Sequence, residues 1–199
     1  FTLHSVIPSP DTILENIKKL EPGHSMIVDF KGKIKKEKYY SFEGLKINYE
    51  ISEEEALEEI ERLLVEAIKK RLLTSDVPVG VLLSGGLDSS LIVAMAAKNN
   101  FLDINTFSIG FPSIGSEQGD EFYYSDKVSK QFNTNHHKYS LDEFSLYDSL
   151  DNVISMMPEP MASQDSAAFF LLAKKVSQVQ KVVLSGQGAD ELFGGYFWY

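Results

Sequence analysis

The chain has 199 residues, a formal net charge of −10 and no cysteine. Its length suits one domain with a substantial core, and its 43% hydrophobic and 24% charged residues are typical of a globular protein. The acidic balance argues against nucleic acid as a partner. No segment approaches the roughly 20 apolar residues that a membrane span needs. Because there is no cysteine, disulfides and thiolate metal sites are excluded within these residues.

Residues 1–50 have the pattern of short strands separated by turns. Residues 26–30, followed by Lys-Gly-Lys, predict a strand that enters a hairpin. Asp11 is a suitable cap for a short helical turn over residues 12–20. This segment is small, and we expect it to need another surface to pack on.

A regular alternation of elements follows. Ser52 and Glu55 predict a capping box ahead of a long helix. Strands are predicted at 79–83, 106–111, 137–140 and 182–184, and helices at 88–98, near 121–132, at 142–156 and at 165–178. Residues 112–120, rich in Ser and Gly, predict a loop. Because strands alternate with helices, the pattern predicts an α/β fold with a doubly wound parallel sheet.

The first candidate site is the loop Ser84–Ser90, Ser-Gly-Gly-Leu-Asp-Ser-Ser, after the first buried strand. Gly85 and Gly86 allow successive backbone N–H groups to turn inward as an anion-binding nest, at which the next helix aims its positive N-terminus. The serine hydroxyls add donors, and Asp88 can hold a cation that neutralises phosphates. The loop is neither a Walker A nor a Gly-x-Gly-x-x-Gly motif. A tight turn without a ligand is the structural alternative.

The second candidate site is the loop Leu184–Tyr196, at the end of the last predicted strand. Ligands of an open parallel sheet bind outside the carboxyl ends of its strands, so both loops lie where a ligand is expected. Asp190 supplies a carboxylate here, although it can instead be a helix cap, and Gly194-Gly195 can serve only to end a helix. We interpret the nearby aromatic residues as core: Phe193, Tyr196, Phe197, Trp198 and Tyr199.

The two loops together, in this order, resemble the synthetase domain of the glutamine-hydrolysing asparagine synthetases, and residues 17–24 are similar to the end of that family's glutaminase domain. The resemblance implies a fold of the adenine nucleotide α-hydrolase type (PP-loop ATP pyrophosphatase, HUP-like). It implies that residues 1–50 are the end of a glutaminase domain and a linker, and that residues 51–199 are a C-terminally incomplete ATP-binding synthetase domain. A cytoplasmic enzyme is expected, with a homodimer as one expected assembly of the full-length protein.

The resemblance also implies roles for individual residues. The ATP-binding positions are those of the first loop, two strand positions near the adenine, and the start of the second loop: Ser84, Gly85, Gly86, Asp88, Ser89 and Ser90; Leu82 and Ile109; Ser185 and Gly186. Asp88 and Asp190 match a pair of carboxylates that binds Mg²⁺ in related enzymes. The cofactors implied are therefore ATP and Mg²⁺.

The implied reaction is a two-step amide synthesis from aspartate. The side-chain carboxylate forms β-aspartyl-AMP with release of pyrophosphate, and ammonia, supplied by glutamine in the full-length enzyme, then displaces AMP. Gln187, the candidate catalytic residue, departs from the family, in which the best-known members have Glu. An amide cannot act as a general base, so Gln187 leaves the acyl acceptor open.

The chain also lacks the cysteine that releases ammonia from glutamine, and the C-terminal part of the synthetase domain. We therefore expect residues 1–199 alone not to complete the synthesis. Other adenylating amide-forming enzymes on the same scaffold are alternatives: a β-lactam synthetase, a lasso-peptide cyclase or an amidotransferase that modifies a cell-surface sugar. They share the first loop, whereas residues 190–196 favour the asparagine synthetases. A nucleotide-binding module without catalysis is a further alternative, against which the intact first loop argues.

Overall fold

A computed structural model describes residues 6–43, 45–46, 49–101, 103–111, 122–161, 163 and 165–197. The chain divides into two compact units, the first made of Phe1–Ile51 with Asp151–Gln164 and the second of Ser52–Leu150 with Asp165–Tyr199. Nothing in the sequence pattern predicted that residues 151–164 group with the N-terminal residues. The predicted loop at residues 112–120 lies outside the described residues.

The first unit contains the predicted hairpin. Strands β1 (His24–Val28) and β2 (Ile34–Lys38) pair antiparallel, with His24 opposite Lys38 and Val28 opposite Ile34.

The helical turn predicted over residues 12–20 is wrong, because none of these residues is helical and residues 13–16 form a bend and a turn. The Thr12 hydroxyl lies 2.7 Å from the Ile17 carbonyl oxygen and accepts from the Leu14 N–H at 3.1 Å. Asn16 has a positive φ of 63°. Bonds between the Thr12 hydroxyl and the backbone, together with the left-handed Asn16, thus take the place of helical hydrogen bonds in this segment.

A lysine joins the two stretches of chain that make up the first unit. Lys19 Nζ lies 2.5 Å from Glu159 Oε1 and 2.5 Å from the Ile7 carbonyl oxygen. Both charged side chains are about three-quarters buried, at 28% and 24% exposure. This ion pair gives residues 151–164 a specific attachment within the first unit.

The second unit is built on a four-stranded parallel sheet. Its strands are β3 (Val79–Leu82), β4 (Asn105–Gly110), β5 (Asn135–Ser140) and β6 (Val182–Leu184), in the order β5-β4-β3-β6. All three pairings are parallel, as predicted. β5 begins two positions earlier than the sequence indicated and forms one edge of the sheet.

The helices agree closely with the predicted periodicity. They are α1 (Glu53–Leu73), α2 (Leu87–Lys98), α3 (Phe122–Phe132), α4 (Glu143–Met156), α5 (Asp165–Val176) and α6 (Ala189–Phe193). The predicted capping box of α1 is present: Glu55 N–H donates to Ser52 Oγ at 3.2 Å, and Ser52 N–H donates to Glu55 Oε2 at 3.0 Å. None of the helices described has both the length and the apolar character needed to cross a membrane.

Helices cover both faces of the parallel sheet, which confirms the predicted doubly wound α/β fold. On one face, Val81 and Leu83 pack with Ile68 of α1 and Val93 of α2. On the other face, Phe107 packs with two side chains of α5, Leu172 and Val176. Successive residues of a strand point to opposite faces, so Leu82 belongs to the α5 side.

Candidate functional site

A cavity of about 400 Å³ lies at the carboxyl ends of β3, β4 and β6. The chain passes from β3 to β4 and β5 on one side, whereas β6 pairs with β3 on the other, so the strand order reverses between β3 and β6. Open parallel sheets bind ligands at this switch point, and the volume is within the range of small-molecule sites.

Most of the site residues predicted from the sequence line this one cavity. They are Leu82, Ser84, Gly86, Asp88, Ser89, Ile109, Ser185, Gly186, Gln187 and Asp190. Two predicted residues lie behind the lining. Gly85 packs against the start of α3, where an added Cβ would lie 2.7 Å from the Ser125 nitrogen, and Ser90 is half-buried within α2.

The serines of the first loop bond to the loop itself. Ser84 Oγ lies 3.0 Å from Ser89 Oγ and accepts from the Gly86 N–H at 3.2 Å. Ser89, which is only 6% exposed, donates to the Gly86 carbonyl oxygen at 3.2 Å. No described side chain caps α2, whose N-cap is Gly86. The first-turn N–H groups of this helix are therefore available to an anion.

The two loops meet at Gly186. β3 and β6 pair with Val81 opposite Leu184, so the chain segments after both strands emerge side by side. A Cβ added to Gly186 would lie 2.9 Å from Asp88 Cβ and 3.0 Å from the Ser89 nitrogen. Only a glycine permits this approach without a shift of one loop, and the approach brings Asp88 and Asp190 to the same cavity.

The second loop contains the short helix α6, whose N-cap Gly188 and C-cap Gly194 both have left-handed backbones. Gly194 thus ends a helix, as the alternative interpretation proposed. Asp190 is not a cap, because it lies inside α6 and the N-cap makes no side-chain bond. An added Cβ at Gly195 would overlap Asp190 Oδ1, so this glycine leaves the space that the carboxylate occupies.

The aromatic residues around α6 differ from the sequence prediction. Phe193 is 58% exposed and Phe197 is 93% exposed, so the interpretation of these two side chains as core is wrong. Tyr196 is half-buried, and its hydroxyl donates to Glu191 Oε1 at 2.9 Å. Trp198 and Tyr199 lie outside the described residues.

The charges of the cavity are its most informative property. Of the described residues that line it, Asp88 and Asp190 carry charge, and none is a lysine, arginine or histidine. A bound polyanion would therefore depend on backbone N–H groups, the N-terminus of α2 and a metal ion rather than on cationic side chains.

The two carboxylates suit Mg²⁺, which takes few protein ligands and completes its shell with water and phosphate oxygens. Among the residues described, there is no cluster of three or more His, Asp or Glu side chains that could hold a metal ion by themselves. A metal at Asp88 and Asp190 would therefore need further ligands, such as phosphate oxygens and water. Neither Asp88 nor Asp190 forms an ion pair in the described part of the chain, so both carboxylates are available as metal ligands.

The apolar part of the cavity includes residues that the sequence analysis missed. Besides Leu82 and Ile109, the apolar lining consists of Leu83, Phe107, Phe111, Phe169 and Leu172, and the polar lining gains Ser108. Phe107, Ile109 and Phe111 recur with the period of two that places side chains on one face of a strand. That alternation was the available signal, whereas nothing in the sequence paired Phe169 of α5 with β4.

This chain is similar to known proteins over most of its length. The family model described as asparagine synthase matches residues 59–199, which is most of the chain. The chain belongs to the asparagine synthase family. It is 37% identical over 192 residues to a Methanocaldococcus jannaschii protein assigned as a glutamine-hydrolysing asparagine synthetase, covering 96% of this chain and 36% of that protein.

A Bacillus subtilis family member, asparagine synthetase [glutamine-hydrolyzing] 1, is 30% identical over 193 residues, covering 97% of this chain and 29% of that protein. The chain therefore spans about a third of the length of the curated asparagine synthetases that it matches. Among solved structures, the NH3-dependent NAD synthetase of Campylobacter jejuni is similar with a TM-score of 0.45 and 17% identity, over 70% of this chain and 60% of that one.

Proposed function

We propose that this chain is the nucleotide-binding part of an ATP- and Mg²⁺-dependent amide ligase that makes asparagine. One observation carries the proposal: two Gly-Ser loops on adjacent strands meet at Gly186 and bring two carboxylates, with no lining cation among the described residues, to one cavity. Such a cavity suits a ligand that brings both phosphates and a metal. Membership of the asparagine synthase family supports the choice of reaction.

The chain's own residues have distinct tasks in this proposal. Leu82 and Ile109 contact the adenine within the apolar part of the cavity. Backbone N–H groups of the first loop and the start of α2 hold the pyrophosphate, and Ser185 and Gly186 contact the nucleotide from the other side. Asp88 and Asp190 hold Mg²⁺, which when bound offsets the negative charge that repels an incoming carboxylate.

The proposed reaction has two steps. A side-chain carboxylate oxygen of aspartate attacks the α-phosphorus of ATP and the bond to the bridging oxygen breaks, which gives β-aspartyl-AMP and pyrophosphate. Ammonia then adds to the acyl carbon and AMP leaves, with loss of one proton to give the amide. The backbone nest is suited to the first step, because it stabilises charge on the departing pyrophosphate.

Gln187 is the candidate catalytic residue for the second step. This residue belongs to the cavity lining, and its backbone N–H donates to Ser185 Oγ at 3.2 Å. An amide can orient ammonia or the acyl group through hydrogen bonds but cannot accept its proton at neutral pH. We therefore propose an orienting role for Gln187, and this residue makes the acyl acceptor the part of the proposal that most needs testing.

The deciding experiment is ATP–pyrophosphate exchange by the full-length protein against a panel of amino acids and sugar acids, with asparagine as a matched control that lacks the side-chain carboxylate. We expect exchange that depends strictly on aspartate. Exchange driven by a different carboxylate would identify another adenylating amide-former. Nucleotide binding without exchange would identify a non-catalytic module.

The whole-protein context follows from the same proposal. Residues 1–50 are the end of a glutaminase domain and a linker, glutamine supplies the ammonia, and residues 51–199 are part of the synthetase domain of a cytoplasmic enzyme that can assemble as a homodimer. Residues 1–199 alone are expected to make no asparagine from ammonia, aspartate and ATP. Synthesis by this segment at the rate of the full-length enzyme would contradict the assignment of missing catalytic residues.

A further inference from the structure

The first loop is attached to the sheet through Leu83, the residue between β3 and Ser84. Leu83 is fully buried, and its N–H donates to the Phe107 carbonyl oxygen of β4 at 2.8 Å. Its carbonyl oxygen accepts the hydroxyl hydrogen of Ser108, which is 4% exposed and lines the cavity. A side chain of β4 thus holds the last carbonyl before the loop.

The direction of this carbonyl determines the direction of the next amide. The peptide group between Leu83 and Ser84 is planar and trans, so its C=O and its N–H point to opposite sides. Because the Leu83 carbonyl points to Ser108 on β4, the Ser84 N–H points away from β4. Within the described part of the chain no group accepts this N–H, and Ser84 lines the cavity. It is the first N–H of the loop that is available to an anion.

The Ser108 hydroxyl is itself held in place. His136 Nε2 of the neighbouring strand β5 lies 3.4 Å from Ser108 Oγ, and its Nδ1 lies 2.8 Å from Thr106 Oγ1. Since the one hydroxyl hydrogen of Ser108 goes to Leu83, its oxygen can only accept from the imidazole ring. Thr106 Oγ1 in turn lies 2.8 Å from Thr134 Oγ1. The Leu83 carbonyl oxygen and the His136 ring are thus the two groups that orient the Ser108 hydroxyl.

We infer that Ser108 is a positioning residue for pyrophosphate binding, which acts through the Leu83–Ser84 peptide plane. The inference rests on the proposed function and adds to it a residue on a different strand from either loop. Ser108 has no hydrogen left to donate to a ligand. Its removal leaves the Leu83 carbonyl either unpaired or turned toward another donor, and in the second case the Ser84 N–H turns with it.

The test compares two nucleotides in the full-length protein. We expect Ser108→Ala to weaken binding of a non-hydrolysable ATP analogue with Mg²⁺ by about tenfold in calorimetry, the scale of a lost buried hydrogen bond. Binding of AMP, which lacks the pyrophosphate, should change less than about twofold. Ser108→Thr retains the hydroxyl and should bind the ATP analogue as the wild type does. If Ser108→Ala does not fold, Ser108→Cys takes its place in the test, because its thiol is similar in size and a weak donor.

Ser149→Ala is the matched control. Ser149 is also buried, at 5% exposure, and its hydroxyl donates to the Leu146 carbonyl oxygen at 2.8 Å. It is not part of the cavity lining. Ser149→Ala should lower the free energy of unfolding about as much as Ser108→Ala does. Its affinity for both nucleotides should be unchanged. Unchanged binding of the ATP analogue by Ser108→Ala, or an equal loss for AMP, would overturn the inference. A wild-type protein that binds neither nucleotide would instead overturn the proposed function, and this inference with it.

Discussion

The two loops of the cavity reach the same place by different physical means. The first loop is held by its own side chains and by the strands behind it, through Ser84, Ser89 and Ser108. The second loop has a five-residue helix, exposed at residues 191–193, between two left-handed glycines, and its position depends on the close approach of Gly186 to the first loop.

This difference indicates how the site is preorganised. The first loop presents its N–H groups in a geometry that exists without the second loop, because its hydrogen bonds are internal or come from β4. The second loop has few such bonds among the described residues and is positioned largely by steric fit. We therefore expect changes in the first loop to have the larger effects on ligand binding, and changes at the contact to affect both loops.

The largest expected effect separates the two carboxylates. Asp88→Asn should reduce ATP–pyrophosphate exchange by about a hundredfold or more, because it removes the metal ligand proposed in the more rigid first loop. Asp190→Asn, in the more open loop, should reduce it by about tenfold. Asp148→Asn is the control, since Asp148 is an exposed residue of α4 and is not part of the cavity lining. A greater loss for Asp190→Asn than for Asp88→Asn would reverse the comparison.

The contact between the loops should be the next most sensitive point. Gly186→Ala places a methyl group against Asp88 and Ser89, and we expect the free energy of unfolding to fall by about 1–3 kcal/mol, as overpacking usually costs. In Gly86→Ser the nearest described atom to the new Cβ is Ser84 Oγ, at an ordinary contact distance of 3.4 Å, and the position is a helix N-cap, which favours serine. Urea unfolding should show no loss in the free energy of unfolding for Gly86→Ser. Equal losses for the two variants would mean that the close approach at Gly186 does not require a glycine.

A pair of serines compares the loops directly. Ser89→Ala removes a buried hydroxyl that contacts Ser84 Oγ and the Gly86 carbonyl oxygen, and should lower the free energy of unfolding by about 1 kcal/mol. Ser185→Ala removes an exposed hydroxyl that, among the described residues, accepts one bond, from the Gln187 N–H, and should change the free energy of unfolding by less than about 0.5 kcal/mol. Chemical denaturation of both variants gives the result, and a larger loss for Ser185→Ala would contradict the proposed preorganisation of the first loop.

The smallest expected effect is a pH dependence behind the first loop. Burial lowers the pKa of His136 below its ordinary value of 6.5, with Lys138 and His137 acting in the same direction and Asp126 and a bond involving Thr106 opposing them. As the pH falls below 6.5, the unfolded chain therefore takes up a proton that the folded chain resists. The free energy of unfolding should decrease through this window until the lowered pKa is reached.

His136→Gln should reduce that decrease. Urea unfolding of the wild type and of His136→Gln at a series of pH values between about 7 and 5 gives the free energy of unfolding of each protein. The contributions of the other histidines and of the carboxylates are common to both proteins and largely cancel in the difference between the two profiles. Parallel pH profiles for the two proteins would show that His136 is not held in its neutral form by burial.

The sequence by itself determined the features that arise from local interactions. The periods of apolar residues predicted the strands and long helices, Ser52 and Glu55 predicted the start of α1, and the glycines and serines marked both loops. These signals are local because hydrogen bonding and side-chain direction repeat within a few residues. The local signal failed at residues 12–20, where the Thr12 hydroxyl bonds to the backbone and Asn16 has a positive φ.

Only the tertiary structure decided which distant residues share the site. The approach of Gly186 to Asp88, the bond from Ser108 to the Leu83 carbonyl and the contribution of Phe169 to the cavity all join residues on different elements. The same is true of Lys19 and Glu159 in the first unit. Such contacts depend on strand order and on how side chains fill the space between elements, which no pattern within a short stretch of sequence encodes.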